Sequence, residues 1–184
     1  MNSATTTADP SPIEDFSQCH GGILGHLQTL GTLPALLEPA ARARQIAADT
    51  LGFFRDAVFE HHAEEEKELF PAVLASATPG EERERVMALV HTLTAEHRKV
   101  EAAWAKLEPR LKALAKGHDS DVDGADIQAL VDSYQAHARF EEAVFLPLSQ
   151  TILGRNSNHL AALGISLHMR HAMPLVLNRF AGRI

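Results

Sequence analysis

The sequence predicts an all-α fold, an antiparallel up-down-up-down four-helix bundle with one further helix at its C-terminal end. Three observations predict it. Hydrophobic residues make up 45% of the 184 residues and aromatics only 5%, so the core must come from Ala, Leu, Val and Ile, a mixture that favours helices. Apolar residues recur at helical spacing in five segments. No alternating strand pattern competes with them, and Pro or Gly punctuates the joins.

Residues 1–12, "MNSATTTADPSP", hold no Lys, Arg or apolar block, so they read as a disordered tail and not a signal peptide. The first helix runs from about Ile13 to Leu33 and stops near Pro34. The second opens after Glu38, where Pro39 suits a first turn because its missing N–H costs nothing there, and reaches about Ser76. Thr78 is placed to cap the third, acids follow at the positive end of the helix dipole, and the helix reaches about Lys116. "KGHDSDVDG" is the most loop-like stretch. The fourth helix spans about Ala125 to Leu153, and "GRNSN" separates it from a fifth, about His159 to Phe180. Residues 13–153 then form one bundle domain, a size that a single core supports. Residues 154–184 form a basic helix that packs on the bundle or binds a partner, itself included, because Arg155, Arg170, Arg179 and Arg183 meet no acid after Glu142.

The formal charge of -7 argues against a nucleic-acid partner, since phosphates demand a basic surface. No apolar run approaches the roughly 20 residues of a membrane span. The single cysteine, Cys19, excludes an intramolecular disulfide and a Cys-based zinc cluster and fits a cytoplasmic location. It reads as a small buried residue, with a redox role beside His20 as the alternative.

A repeat organises the histidines. "HHAEEEKELFP" at 61–71 aligns without gaps on "HARFEEAVFLP" at 137–147. His61 falls on His137, Glu65 on Glu141, Glu66 on Glu142 and Pro71 on Pro147, so each copy reads H-x-x-x-E-E-x-x-x-x-P. Helical phase points both pairs inward. The second helix carries the stripe Ala47, Leu51, Phe54, Val58, His61, Glu65, Leu69, Ala72, and the fourth carries Ile127, Leu130, Tyr134, His137, Glu141, Val144, Leu148. His97 lies on the third stripe, with Val86, Leu89, Leu93, Val100, Trp104 and Leu107. His20 lies on the first, with Ile13, Phe16, Ile23, Leu27 and Leu30. His20 precedes His61 by 41 residues and His97 precedes His137 by 40, as in two hairpins built alike. His26 competes with His20, but six helical residues turn through about 600° and leave the two roughly 120° apart.

Inward carboxylates need compensation, because an unpaired buried charge costs several kcal/mol. Four imidazoles and two carboxylates suit a pair of first-row transition ions with two histidines on each and the glutamates bridging. Iron is the first choice on ligand type, ahead of zinc and manganese; a single zinc would leave two carboxylates unexplained. The alternative is a buried hydrogen-bonded network without metal. His62, Glu64, Glu66 and Glu68 read as a solvated flank, although Glu66 and Glu142 recur in both copies and are candidates for hydrogen bonding to a ligand. Tyr134 and Trp104 read as core residues.

Through "CHGGIL" at 19–24, "HHAEEEKELFP", "EHRKVEAAW" at 96–104 and "HARFEEAVFLP", the chain resembles the hemerythrin-like, HHE cation-binding domain proteins over roughly residues 13–153. The resemblance implies a four-helix bundle around a non-haem di-iron centre, oxo- or hydroxo-bridged, with His20, His61, His97 and His137 as terminal ligands and Glu65 and Glu141 as bridges. It also implies dioxygen, nitric oxide or peroxide as the small ligand. Oxygen-carrying hemerythrins have H-x-x-x-H on the third helix and H-x-x-x-x-D on the last. Here Leu93 and Glu101 flank His97, and Glu141 follows His137, so reversible oxygen carriage is not the expectation. Three uses stay open: a binding protein that senses or buffers iron, dioxygen or nitric oxide; an enzyme that reduces peroxide or repairs iron–sulfur clusters; and a metal-free interaction module. His168 and His171 share one face of the fifth helix and read as surface positions, with reach toward the site as the alternative.

Overall fold

The computed structural model describes residues 12–155, with side chains from His20 onward. The expected tail up to residue 11, the Cys19 side chain, and the fifth helix with His168 and His171 lie outside the described residues. Every regular element among the described residues is helical. Helix α1 is Pro12–Phe53, followed by a π-helical turn Phe54–Val58, α2 Phe59–Glu64, a second π turn Glu65–Leu69, and α3 Phe70–Ser76. Then come α4 Glu81–Ala115, α5 Gly124–Phe140, a third π turn Glu141–Phe145, and α6 Leu146–Leu153. No helix among them is long and apolar enough to cross a membrane.

The expected break between a first and a second helix is absent. Pro34 and Pro39 both lie inside α1, so the described residues make three long helical stretches where four were expected. Between the two prolines stand Ala35, Leu36, Leu37 and Glu38, all strong helix formers, and no Asn, Asp, Ser or Gly that would cap an interruption. A proline also fixes φ at a helical value, and its cost is one lost bond and a clash one turn back.

The chain divides into two compact units, residues 1–43 and residues 44–184. In the first, the described apolar side chains are exposed, Ile23, Leu27, Leu30 and Leu37 among them. His20 and His26 are exposed as well.

The second unit has its own core, in two parts. One cluster joins Ala47, Phe54, Val58, Val100, Trp104, Leu107, Leu111 and Leu130, with the Phe54 and Trp104 rings stacked at 3.8 Å. The other joins Leu69, Phe70, Val73, Val86, Leu93, Phe145, Ile152 and Leu153, with Phe70 edge-on to Phe145 at 5.1 Å. The expected stripe of α4 is buried throughout except Leu89, which packs half-buried beside the second cluster. Between the apolar Leu93 and Val100 on that stripe comes His97, so a polar layer lies between the two clusters.

Two loops set the ends of α4. It starts at Glu81 after Gly80, whose φ of +98° suits glycine, and no side chain caps it; the expected cap, Thr78, instead gives its N–H to Glu82 at 2.6 Å. Asp123 caps α5 by accepting from the Ala125 N–H at 2.9 Å.

Candidate metal centre

Both copies of the repeat build the same local device. A π turn begins at the glutamate in each, Glu65–Leu69 and Glu141–Phe145, and ends just ahead of the proline. The N–H of Phe70 reaches back to the carbonyl of Glu65, and that of Leu146 to the carbonyl of Glu141. Pro71 and Pro147 have no N–H to continue the ladder and would clash with a carbonyl one α turn back, and the wider turn relieves that clash. The repeated proline therefore explains the repeated π turn.

The second unit brings together His61, Glu65, His97, His137 and Glu141 of the six expected ligands, and adds His62. Donor atoms of His62, His97 and His137 lie within 4.8 Å of one another, as do those of His61, Glu65 and Glu141. Glu65 reaches both groups: its Oε1 is 3.2 Å from His61 Nε2 and its Oε2 is 3.2 Å from His97 Nε2. All six are buried except His61, whose side chain is 31% exposed. His20 lies in the first unit and is not part of either group.

The histidines are backed by carboxylates. His97 Nδ1 lies 2.8 Å from Glu66 Oε1, and His137 Nδ1 lies 3.1 Å from Glu96 Oε2. A carboxylate accepts, so each Nδ1 carries the hydrogen. The Nε2 atoms of both rings are buried without a hydrogen-bond partner, as are both nitrogens of His62 and Glu65 Oε2. The His97 and Glu65 atoms are within ion-pair distance of each other but misaligned for a hydrogen bond. Leaving a buried polar atom unsatisfied costs about 1–3 kcal/mol, and five such atoms in one layer is the signature of donors arranged for something other than one another.

Electrostatics divide the two glutamates. Burial, the hydrogen bond to Glu65 and the Glu65 charge push Glu141 up to about 9. Burial pushes Glu65 the same way, but its close contacts with His97 and Glu141 and the charges of His61 and His97 outweigh it and hold Glu65 below the usual range. His97 is raised: burial opposes its charge, and Glu65 and Glu66 overcome that. Burial and the charge of His97 bring His62 down to about 4. His137 is lowered by burial, against the pull of Glu96. Bound cations would displace any proton held on Glu141 or on the imidazole Nε2 atoms.

Three assignments need correction. His62 is not on a solvated flank but 1% exposed, its ring stacked on His97 at 3.9 Å. Glu64, Glu66 and Glu68 are each partly buried. Glu142, the repeat partner of Glu66, is exposed, and Glu96 supports His137 in its place. The signal for His62 was present, since it stands four residues after Val58 and three before Glu65, as much in phase as His61. Glu96 gave no periodic signal.

A family model described as the hemerythrin HHE cation binding domain matches residues 11–149. An uncharacterized protein of Haemophilus influenzae is 26% identical over 158 residues, covering 82% of this chain and 88% of that protein. No solved structure matches.

Proposed function

This chain belongs to the hemerythrin HHE cation-binding domain family, and from that premise we propose that it is a non-haem di-iron protein that senses, binds or buffers iron, dioxygen or nitric oxide. His61, Glu65, His97, His137 and Glu141 are the ligands in this reading. The observation that carries it is the state of His97 and His137. Each has Nδ1 held by a glutamate and Nε2 buried without a hydrogen-bond partner, the arrangement by which an outer carboxylate fixes the tautomer of a metal-ligating imidazole.

The donor set supports a pair of ions. Imidazole nitrogen mixed with carboxylate oxygen suits iron, and Glu65, with one oxygen toward His61 and the other toward His97, is placed to bridge. Glu66 and Glu96 orient the rings, while the apolar clusters on either side keep bulk water from the layer. Iron held there would supply open coordination positions for a diatomic ligand or peroxide. His20 enters as a further ligand on the strength of its spacing in the repeat.

Purification from iron-supplemented cells tests the reading. About two iron atoms per chain are expected, with a near-ultraviolet charge-transfer band that azide or nitric oxide alters. A chain that carries no transition metal under those conditions overturns it. His20→Ala should lower the iron content if His20 is a ligand, and an unchanged content removes it from the set.

A further inference from the structure

Between α4 and the stretch from α2 to α3, the outer side of the second unit carries a groove in two parts. Toward the start of α4 it is a hollow of ≈ 460 Å³ lined by Leu74, Met87, Val90 and Thr94, with Arg98 at its far end. Past Arg98 it is a cleft of ≈ 520 Å³ lined by Phe59, Glu66, Glu101, Ala105 and Glu108, with Arg98 again on its wall. We propose that residues 159–180 of the same chain dock along this groove as a helix, their apolar half over Met87 and their basic half over the carboxylates.

The place where the described chain ends supports this occupant. Helix α6 finishes at Leu153, and Arg155 is held by Glu82 at 2.6 Å and by Thr78 at 3.2 Å. Thr78 follows Leu74 by four residues and Glu82 precedes Met87 by five, so the chain is fixed where the apolar hollow begins. From Met87 to Glu108 the groove follows α4 for about 32 Å, and residues 159–180 reach about the same length as a helix.

The order of chemistry along the segment matches the order along the groove. Residues 156–169 hold no Arg, Lys, Asp or Glu and supply Leu160, Leu163, Ile165 and Leu167, and Arg170, Arg179 and Arg183 follow. Laid parallel to α4 from Arg155, the leucines come level with Leu74, Met87 and Val90. The arginines come level with the cleft, where three carboxylates outnumber Arg98 and Lys67. Met87 is 54% exposed, and covering such apolar surface favours docking. Arg98 already pairs with Glu66 and Glu101, and Lys112 with Glu108, so apolar contact supplies the affinity and charge sets the direction. His62 also lines the cleft, so the docked segment covers the side of the polar layer that faces it.

Thiol labelling of the full-length chain in a Cys19→Ser background tests the proposal. Ala105→Cys, in the cleft, should react with a maleimide more slowly than Lys99→Cys, which α4 turns away from the groove. Met87→Glu lies about 27 Å from Ala105 along α4. It should nevertheless raise the Ala105→Cys rate by about tenfold, the scale on which one buried methionine shifts an opening equilibrium. Leu163→Glu with Leu167→Glu should raise that rate as much from the segment's side, and Lys99→Cys should respond to neither change. Circular dichroism checks that each variant folds, and glutamine replaces glutamate in any that does not. Rates that do not depend on protein concentration are expected. Protection that grows with concentration assigns the groove to a second copy and overturns the proposal, as does an Ala105→Cys rate that the segment variant leaves unchanged.

Discussion

In the first copy of the repeat, residues 61–71, the leading histidine is 31% exposed and the glutamate reaches across to His97 on α4. In the second, residues 137–147, the leading histidine is 2% exposed and the glutamate faces Glu65. The following glutamate supports an imidazole in the first copy and is exposed in the second. The shared H-x-x-x-E-E-x-x-x-x-P pattern produces the same backbone, down to the π turn ahead of each proline, but not the same roles. Local sequence sets where a side chain leaves the helix, and the neighbour it meets sets what that side chain does.

The glutamates should show the largest difference. Glu65 contacts both donor groups, so Glu65→Ala is expected to abolish binding of both cations. Glu141→Ala removes a donor from the His61, Glu65 and Glu141 group alone and should leave about one ion per chain by elemental analysis. Equal losses in the two variants would mean that the copies are equivalent.

The next glutamate in each copy sharpens the contrast. Glu66→Gln should weaken metal binding by about 10- to 100-fold, because it frees His97 Nδ1, whereas Glu142→Gln should leave competition titrations with a chelator unchanged.

The smallest effect lies where the stretches bearing the two copies end. Arg155, just past α6, holds Glu82 at 2.6 Å and reaches Thr78, just past α3, at 3.2 Å. Arg155 and the Thr78 N–H bring the Glu82 carboxyl down to about 2. A carboxyl lowered on folding contributes stability that is complete above its ordinary value and is lost as pH falls toward the lowered one. Thermal melts of the metal-free chain between pH 5 and 2 should therefore show a shallower acid-side loss in Arg155→Ala than in wild type, with no change near neutrality in that slope.

Much of this was legible in the sequence. The stripe of α4 and the ends at Ser76 and Leu153 followed from periodicity and punctuation, which are local properties; on α5 Leu130 and His137 are buried as expected, but Ile127 is exposed and Tyr134 half-buried. The inward placement of Glu65, His97, His137 and Glu141 followed from helical phase. The break at Pro34 did not form, because strong helix formers surround both prolines and nothing there caps an end. The exchange of Glu142 for Glu96 was invisible, since support of a ring depends on a side chain from another helix.

The sequence by itself determined an all-helical chain with paired His/Glu motifs at core phase, because a period of 3.6 residues is written residue by residue. Only the tertiary structure decided between His61 and His62. The two stand 100° apart on one helix, both within a turn of Glu65, and the packing of α4 and α5 buried His62 against His97 and His137 while leaving His61 at the edge.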